Sequence, residues 1–248
     1  MQNNAENTNE TITSIISSLA PQGELRVALN YGNTVLAQRG KDGVPLGVSA
    51  DLARELCRRL GLVPRFISYD AAADVAKAAT ENTWDIAFMA IDPKRGEHID
   101  FTKAYVQIEG TYLVKDNAPW LKVEELDREG VRIAVGQGAA YDLFLSRHLK
   151  QAELVKFSTS AAAVHGFVEQ GLEAAAGVRQ TLLGFSEENT GYRILDGYFT
   201  AIHQAMALPK GRDAALRYVF AFVEEMKANG FVAESLVRSG QDGVTVAG

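Results

Sequence analysis

One stretch constrains this chain more than any other: Asp85-Ile-Ala-Phe-Met-Ala-Ile-Asp-Pro-Lys-Arg95. Residues 85–91 form a nearly unbroken apolar run, the pattern of a strand covered on both faces. Asp92-Pro93 ends it, because Asp can cap the orphan N–H groups of a new turn and Pro suits the first helical position. Arg95 therefore falls just past the C-terminal end of a buried strand. Ligands collect there in open α/β sheets, and a guanidinium is shaped to grip a carboxylate.

The segments before and after this strand alternate in type. Residues 1–10 read as a polar tail, and Ile12, Ile15, Ile16 and Leu19 as a short amphipathic helix ended by Pro21 and Gly23. Strand Leu25–Leu29, a helix from a Ser49 cap to Leu60, strand Arg65–Ser68 and helix Ala71–Ala79 lead to the central strand. An extended segment over Tyr105–Val114 follows it. This βαβαβ order predicts a parallel sheet wrapped by helices. The pattern breaks at Lys115–Pro119 and a second alternation begins. It runs through strand Val131–Val135, helix Ala140–Leu149, strand Glu153–Phe157, a helix over Ala161–Gln170 capped by Ser160, and strand Glu173–Ala176. Strand Ala201–Leu208 and a helix carrying Leu216, Val219, Phe220, Val223 and Met226 on one face close the chain, with a short helix over Phe231–Val237.

The net charge of −6 and isoelectric point near 5.3 argue against nucleic acid or an anionic membrane as partner. No stretch is apolar for long enough to span a bilayer. Cys57, the single cysteine, rules out an internal disulfide and a multi-cysteine metal site, and beside Leu52, Leu56 and Leu60 it reads as a packed thiol. The four histidines, His98, His148, His165 and His203, share no metal-binding spacing, and there is no Gly-x-Ser-x-Gly elbow. No cofactor is implied. Met1 is followed by Gln, Asn, Asn and Ala rather than by basic residues and an apolar run, so the chain as given opens without the pattern of a signal peptide.

Several segments match one family in order. Gly23-Glu-Leu-Arg-Val27, Gly47-Val-Ser-Ala-Asp51-Leu, Asp92-Pro-Lys-Arg95 followed by Ile99-Asp-Phe-Thr102 and Tyr105, Val131-Arg-Ile-Ala-Val-Gly-Gln-Gly138 and Ala207-Leu-Pro-Lys-Gly211 resemble the family 3 extracytoplasmic solute-binding proteins, the receptors of polar amino-acid ABC importers. The resemblance covers roughly residues 23–240. It implies an α/β, two-lobed periplasmic-binding-protein-like fold (type II), with two mostly parallel sheets flanked by helices and a hinge of two crossings. The division expected is a tail and short helix over 1–22, lobe 1 over 23–113 plus 200–248, and lobe 2 over 114–199. A monomeric, periplasmic, non-catalytic receptor working with an ABC permease is the function implied; a cytoplasmic ligand sensor is the alternative that the missing signal pattern leaves open.

The resemblance assigns site residues one by one. Arg95 falls on the arginine that holds a ligand α-carboxylate, at the end of the strand finishing near Ala90. Gly138 and Ala139 fall on the glycine-rich loop whose backbone N–H groups, at a helix start, would receive the same carboxylate; a hydroxyl residue common in relatives is replaced by Ala139. A dinucleotide reading is weak, since Tyr141 stands where a third glycine belongs. Val178 stands where relatives carry the Asp that pairs with an α-ammonium, and it cannot offset a charge. Either the ligand lacks that group or another acid replaces the lost one. Asp92 is the candidate replacement, with a capping role as its other reading. Arg179 reads as a second anion contact or a solvated side chain. Asn33 lies in the loop where relatives place aromatic clamps, and Tyr31 is a stacking platform or an ordinary loop tyrosine. A cyclohexadienyl-dehydratase-like enzyme on the same fold is the competing activity, with Asp92 or Glu173 as the acid it would need.

Overall fold

The computed structural model describes residues 12–241 and 243–248; the expected polar tail lies outside them. Helix α1 covers residues 12–19. Strand β1 (Leu25–Asn30), the short hairpin β2 (Gln38–Arg39) and β3 (Pro45–Leu46), helix α2 (Val48–Leu60), β4 (Pro64–Tyr69), α3 (Ala72–Thr80) and β5 (Ile86–Ala90) follow. A single turn of 3₁₀ helix at Arg95–Glu97 leads into β6 (Ile99–Lys115). The second alternation comprises β7 (Arg132–Gly136), α4 (Ala140–His148), β8 (Glu153–Phe157), α5 (Ser160–Glu169), β9 (Ala174–Val178), α6 (Arg179–Glu188) and β10 (Tyr192–Ile194). The chain ends with β11 (Thr200–Pro209), α7 (Asp213–Ala228), α8 (Phe231–Arg238) and β12 (Thr245–Val246).

Two parallel triplets, β4-β1-β5 and β9-β7-β8, stand on either side of the antiparallel pair β11 and β6. Two separate sheets were the sequence expectation; hydrogen bonding instead makes one mixed sheet. The reason is the length of β6, whose 17 residues span roughly 55 Å at about 3.3 Å each. Its first part pairs with β11, which pairs with β5, and its last part with β9 and β10, so it joins the two triplets.

Each triplet buries its own apolar layer. Helix α3 packs Val75, Ala78 and Ala79 over Trp84, Ala87 and Met89, and the Trp84 indole donates to the Val75 carbonyl at 2.9 Å. Helix α5 packs Ala163, Val164 and Phe167 over Ala134, Ala175 and Leu113. Helix α2 buries Val48, Leu52, Leu56 and Leu60 at helical spacing and stops at Gly61, whose φ of 65° is the left-handed conformation glycine supplies without strain. Cys57 is buried in that layer, and burial pushes its thiol up to about 12, so it is inert.

Three local expectations change. Ser49 does not cap α2. Gly47 does, at φ 97°, and the buried Ser49 hydroxyl instead meets the Tyr105 hydroxyl at 3.2 Å. The cap of α5 is Thr159, whose Oγ1 accepts from the Ala162 N–H, with Ser160 in the first turn. Helix α6 has no counterpart in the sequence reading, because Leu182 is its single buried apolar residue and Gly184 interrupts it. Among the described residues no helix is long and apolar enough to cross a membrane.

Candidate functional site

The C-terminal ends of both parallel triplets face one cleft, holding about 660 Å³ of empty space with its open mouth included. Asn30, Ala71 and Ala90 come from one triplet's strand ends, and Gly136, Thr159 and Val178 from the other's. Helices α3, α4 and α5 begin at its wall, so their exposed N–H groups and dipoles make the cleft electropositive. Among the described residues that line it, Arg95 is the one charged side chain.

The strand-to-turn sequence explains how Arg95 is aimed. Strand β5 ends at Ala90, and Asp92 folds the next residues by accepting the Lys94 N–H on Oδ1 at 2.9 Å and the Gly96 N–H on its carbonyl. The guanidinium then swings back along the strand end. It donates to the Ala90 carbonyl at 2.8 Å and, across the cleft, to the Gly138 carbonyl at 3.0 Å. Arg95 is 5% exposed and pairs with no carboxylate among the described residues. Burial lowers its pKa to about 10, with the nearby Asp92 charge working against that fall, so it stays protonated at neutral pH. A buried cation with unspent N–H groups and no counterion is a strong anion acceptor.

The opposite wall is the loop Gly136-Gln-Gly138 and the start of α4. Gly136 is required by close approach: an added Cβ would lie 2.9 Å from the Ser160 backbone nitrogen and the Tyr141 hydroxyl. Gly138 has φ 72°, and an added Cβ would meet the Ala73 Cβ at 2.7 Å. The N–H of Gly138 is not offered to the cleft, since it donates to Asp142 Oδ2 at 2.7 Å, and the Ala139 N–H donates to the Gly136 carbonyl. Asp142 is buried and held by Lys156 and Ser146. The donors that remain belong to the first turn of α4, at Ala140 and Tyr141, where no side chain caps the helix. The Tyr141 hydroxyl donates to Ser160 Oγ at 2.8 Å, and burial raises its pKa.

Of the residues expected from sequence, Arg95, Ala90, Ala139, Asn33 and Val178 line the cleft together. Gly138 meets Arg95 from the opposite wall through its carbonyl, and Asp92, Tyr31 and Arg179 lie off the lining. Asp92 is 4% exposed and its Oδ2 pairs with Arg147 of α4 at 2.9 Å, so its carboxylate bridges the two walls below the cleft lining instead of entering it. Tyr31 turns its ring to Arg39, whose guanidinium carbon sits 4.1 Å from the ring centroid. Arg179 pairs with Glu109 and donates to the Gly197 carbonyl. Gln204 was not anticipated. It is 5% exposed and lines the cleft opposite Ala90 in the β11–β5 register. A shift in pairing after Gln204 marks a bulge, a device that re-aims side chains beside binding sites. Asn33 Oδ1 is buried and unpartnered. No group of three or more His, Cys, Asp or Glu among the described residues could hold a metal.

Comparison with known proteins gives the family and the fold. The family model described as bacterial extracellular solute-binding proteins, family 3, matches residues 25–238. The chain belongs to that family. Among curated relatives, the ABC transporter glutamine-binding protein GlnH of Bacillus subtilis is 24% identical over 145 residues, which is 58% of this chain and 53% of that protein. The chain thus matches about half the length of that relative. Among solved structures, the cysteine-binding protein of Campylobacter jejuni superposes with a TM-score of 0.80 at 15% identity, over 95% of this chain and 99% of the other. An ancestral amino-acid-binding protein, a precursor of cyclohexadienyl dehydratase, gives a TM-score of 0.76 at 24% identity, over 90% and 97%. At these identities the superpositions establish the fold, that of the type II periplasmic binding proteins.

Proposed function

We propose that this family member is a capture receptor that closes on a small carboxylate-bearing solute outside the cytoplasm and hands it to an ABC importer. The observation that carries the reading is Arg95: a buried, protonated guanidinium with no carboxylate partner, facing the uncapped first turn of α4 across the cleft. A ligand carboxylate would take two N–H donors from the arginine in the planar, charge-assisted geometry that favours Arg over Lys. The backbone N–H groups of Ala140 and Tyr141 would meet it from the other side. Residues 23–113 with 200–248 and residues 114–199 form the two lobes in this reading, and β6 and β11 are the crossings about which they open.

Transport is supported by the GlnH likeness, and the dehydratase alternative by the likeness to the ancestral precursor. The described residues that line the cleft include no carboxylic acid and no histidine, the usual donors for an eliminated hydroxyl, which favours capture over elimination. Glu173, one acid considered for that role, is spent on Arg132 at 2.9 Å. Thermal-shift and calorimetric screening of small carboxylates is the test. A ligand at about 100 times its Kd adds roughly 2.7 kcal/mol of stability, and Arg95→Ala should abolish that shift. A ligand that binds the variant as well as the parent refutes the carboxylate role, and turnover of prephenate or arogenate would establish the enzymatic alternative.

A further inference from the structure

We propose that the cleft selects a carboxylate whose neighbouring polar group is a neutral hydrogen-bond donor, as in a 2-hydroxy acid, and discriminates against the ammonium of the corresponding amino acid. The inference rests on the carboxylate reading above and adds the identity of the second group. It begins with charge. Arg95 is the sole charged side chain among the described residues lining the cleft, and helix N-termini supply further positive potential. One carboxylate balances that arginine. An ammonium added beside it would be a second cation, removed from water with no acid to offset it.

Among the described residues, acids beside cleft-lining positions are committed to partners, Asp70 to Arg39 at 2.9 Å among them. Asp92 pairs with Arg147 at 2.9 Å, Asp142 with Lys156 at 3.2 Å, and Glu109 with Arg179. Val178 lines the cleft at the N-cap of α6, where it can accept nothing through its side chain.

What remains unspent is neutral. Asn33 Oδ1 is buried without a donor, and an amide oxygen can only accept. A ligand that brings an O–H or N–H to it would satisfy an acceptor that is costly to leave unmade. Gln204 offers both a donor and an acceptor from the bulge of β11, beside the strand end whose carbonyl orients Arg95. A hydroxyl, donor and acceptor at once, matches this pair of amides without adding charge.

The experiment is titration calorimetry with matched pairs: lactate and alanine, 2-hydroxy-4-methylpentanoate and leucine, phenyllactate and phenylalanine, 2-hydroxyglutarate and glutamate, each with its deoxy acid. The best hydroxy acid should bind at least about tenfold tighter than its amino acid, the ratio that about 1.4 kcal/mol of uncompensated desolvation produces. Val178→Asp should move that ratio toward the amino acid, and Gln204→Leu should narrow the gap between hydroxy acid and deoxy acid. The comparison on the unaltered protein needs neither variant to fold. An amino acid that binds as tightly as its hydroxy acid, or tighter, overturns the proposal while leaving the carboxylate reading intact. Binding that survives Arg95→Ala overturns the carboxylate reading itself, and a panel inert toward the unaltered protein overturns both.

Discussion

Strand β5 has a buried ionic site at each end, and the two are opposites. At its start Asp85 is fully buried and saturated: Arg26 donates through Nε, Nη2 and its backbone N–H, and Arg212 donates at 2.9 Å. At its finish Arg95 is 5% exposed and donates its hydrogen bonds to carbonyls. The first site has nothing left to bind. The second holds a cation whose desolvation the nearby Asp92 charge offsets only in part, and that leaves it open to an anion. The same parallel-sheet geometry produces both ends. The N-terminal end of the strand serves architecture, and in the function proposed above the C-terminal end serves ligand capture.

The sharpest way to break the comparison is to remove the acid at the saturated end. Asp85→Ala leaves the buried Arg26 and the half-buried Arg212 without their carboxylate and should cost about 3–5 kcal/mol of stability, measured by denaturant unfolding, with ligand affinity per folded molecule unchanged. Acid should reproduce part of that loss. Burial alone would raise the Asp85 carboxyl, but its bonds to Arg26 and Arg212 outweigh this and hold it below the usual carboxylate range. A depressed folded pKa contributes stability that is present above the unfolded value. That contribution begins to fade as pH falls through about 4 and is gone below the folded value. Asp85→Asn should flatten the stability curve in that window; an unchanged acid profile would mean other carboxylates control it.

At the receptive end the effects should reverse. Arg95→Ala should leave the unliganded protein as stable or more so, since it removes an unpaired buried charge, while affinity falls by at least about 2 kcal/mol. A variant that unfolds without losing affinity would make Arg95 a second architectural arginine.

Much of this was legible in the residues. The apolar run of β5, the Asp92-Pro93 turn and the position of Arg95 follow from period and capping chemistry, and the stripe Val48, Leu52, Leu56, Leu60 gave α2. The ordered motifs gave the family. What stayed hidden depends on partners distant in sequence. Nothing local to Asp92 says that Arg147, in a helix of the other triplet, claims its carboxylate. Nor does anything local to Tyr31 say that Arg39 covers its ring. Gln204 did leave a signal: a polar residue two positions after Ile202, in a strand where Ile202, Ala205, Met206, Ala207 and Leu208 are buried.

A third variant tests whether the receptive end depends on closure. Gly138 carries the carbonyl that Arg95 reaches across the cleft, and a Cβ there would meet both the left-handed backbone and Ala73. Gly138→Ala should therefore hold the walls apart and weaken ligand binding by roughly tenfold, or about 1.4 kcal/mol, with Arg95 and its turn intact. Small-angle scattering with and without ligand checks it: the variant should shrink less on saturation than the parent.

The smallest effect concerns the bridge between the walls. Arg147 is 43% exposed on its side chain and Asp92 4%, so their pair lies between a surface and a buried ion pair. Solvent reaches the arginine, and Asp92 keeps the Lys94 N–H if the pair is broken. Arg147→Ala should therefore cost about 1 kcal/mol or less in affinity, a few-fold, and the difference from the parent should shrink as salt rises. Titration at low and high salt separates this from the Arg95→Ala loss, which salt should not repair. Asp92→Asn supplies the decisive contrast. If it behaves like Arg147→Ala, Asp92 serves the bridge; if it selectively abolishes binding of ligands bearing an ammonium, Asp92 turns toward the ligand on closure, and the contrast between a saturated and a receptive end of β5 fails at that residue.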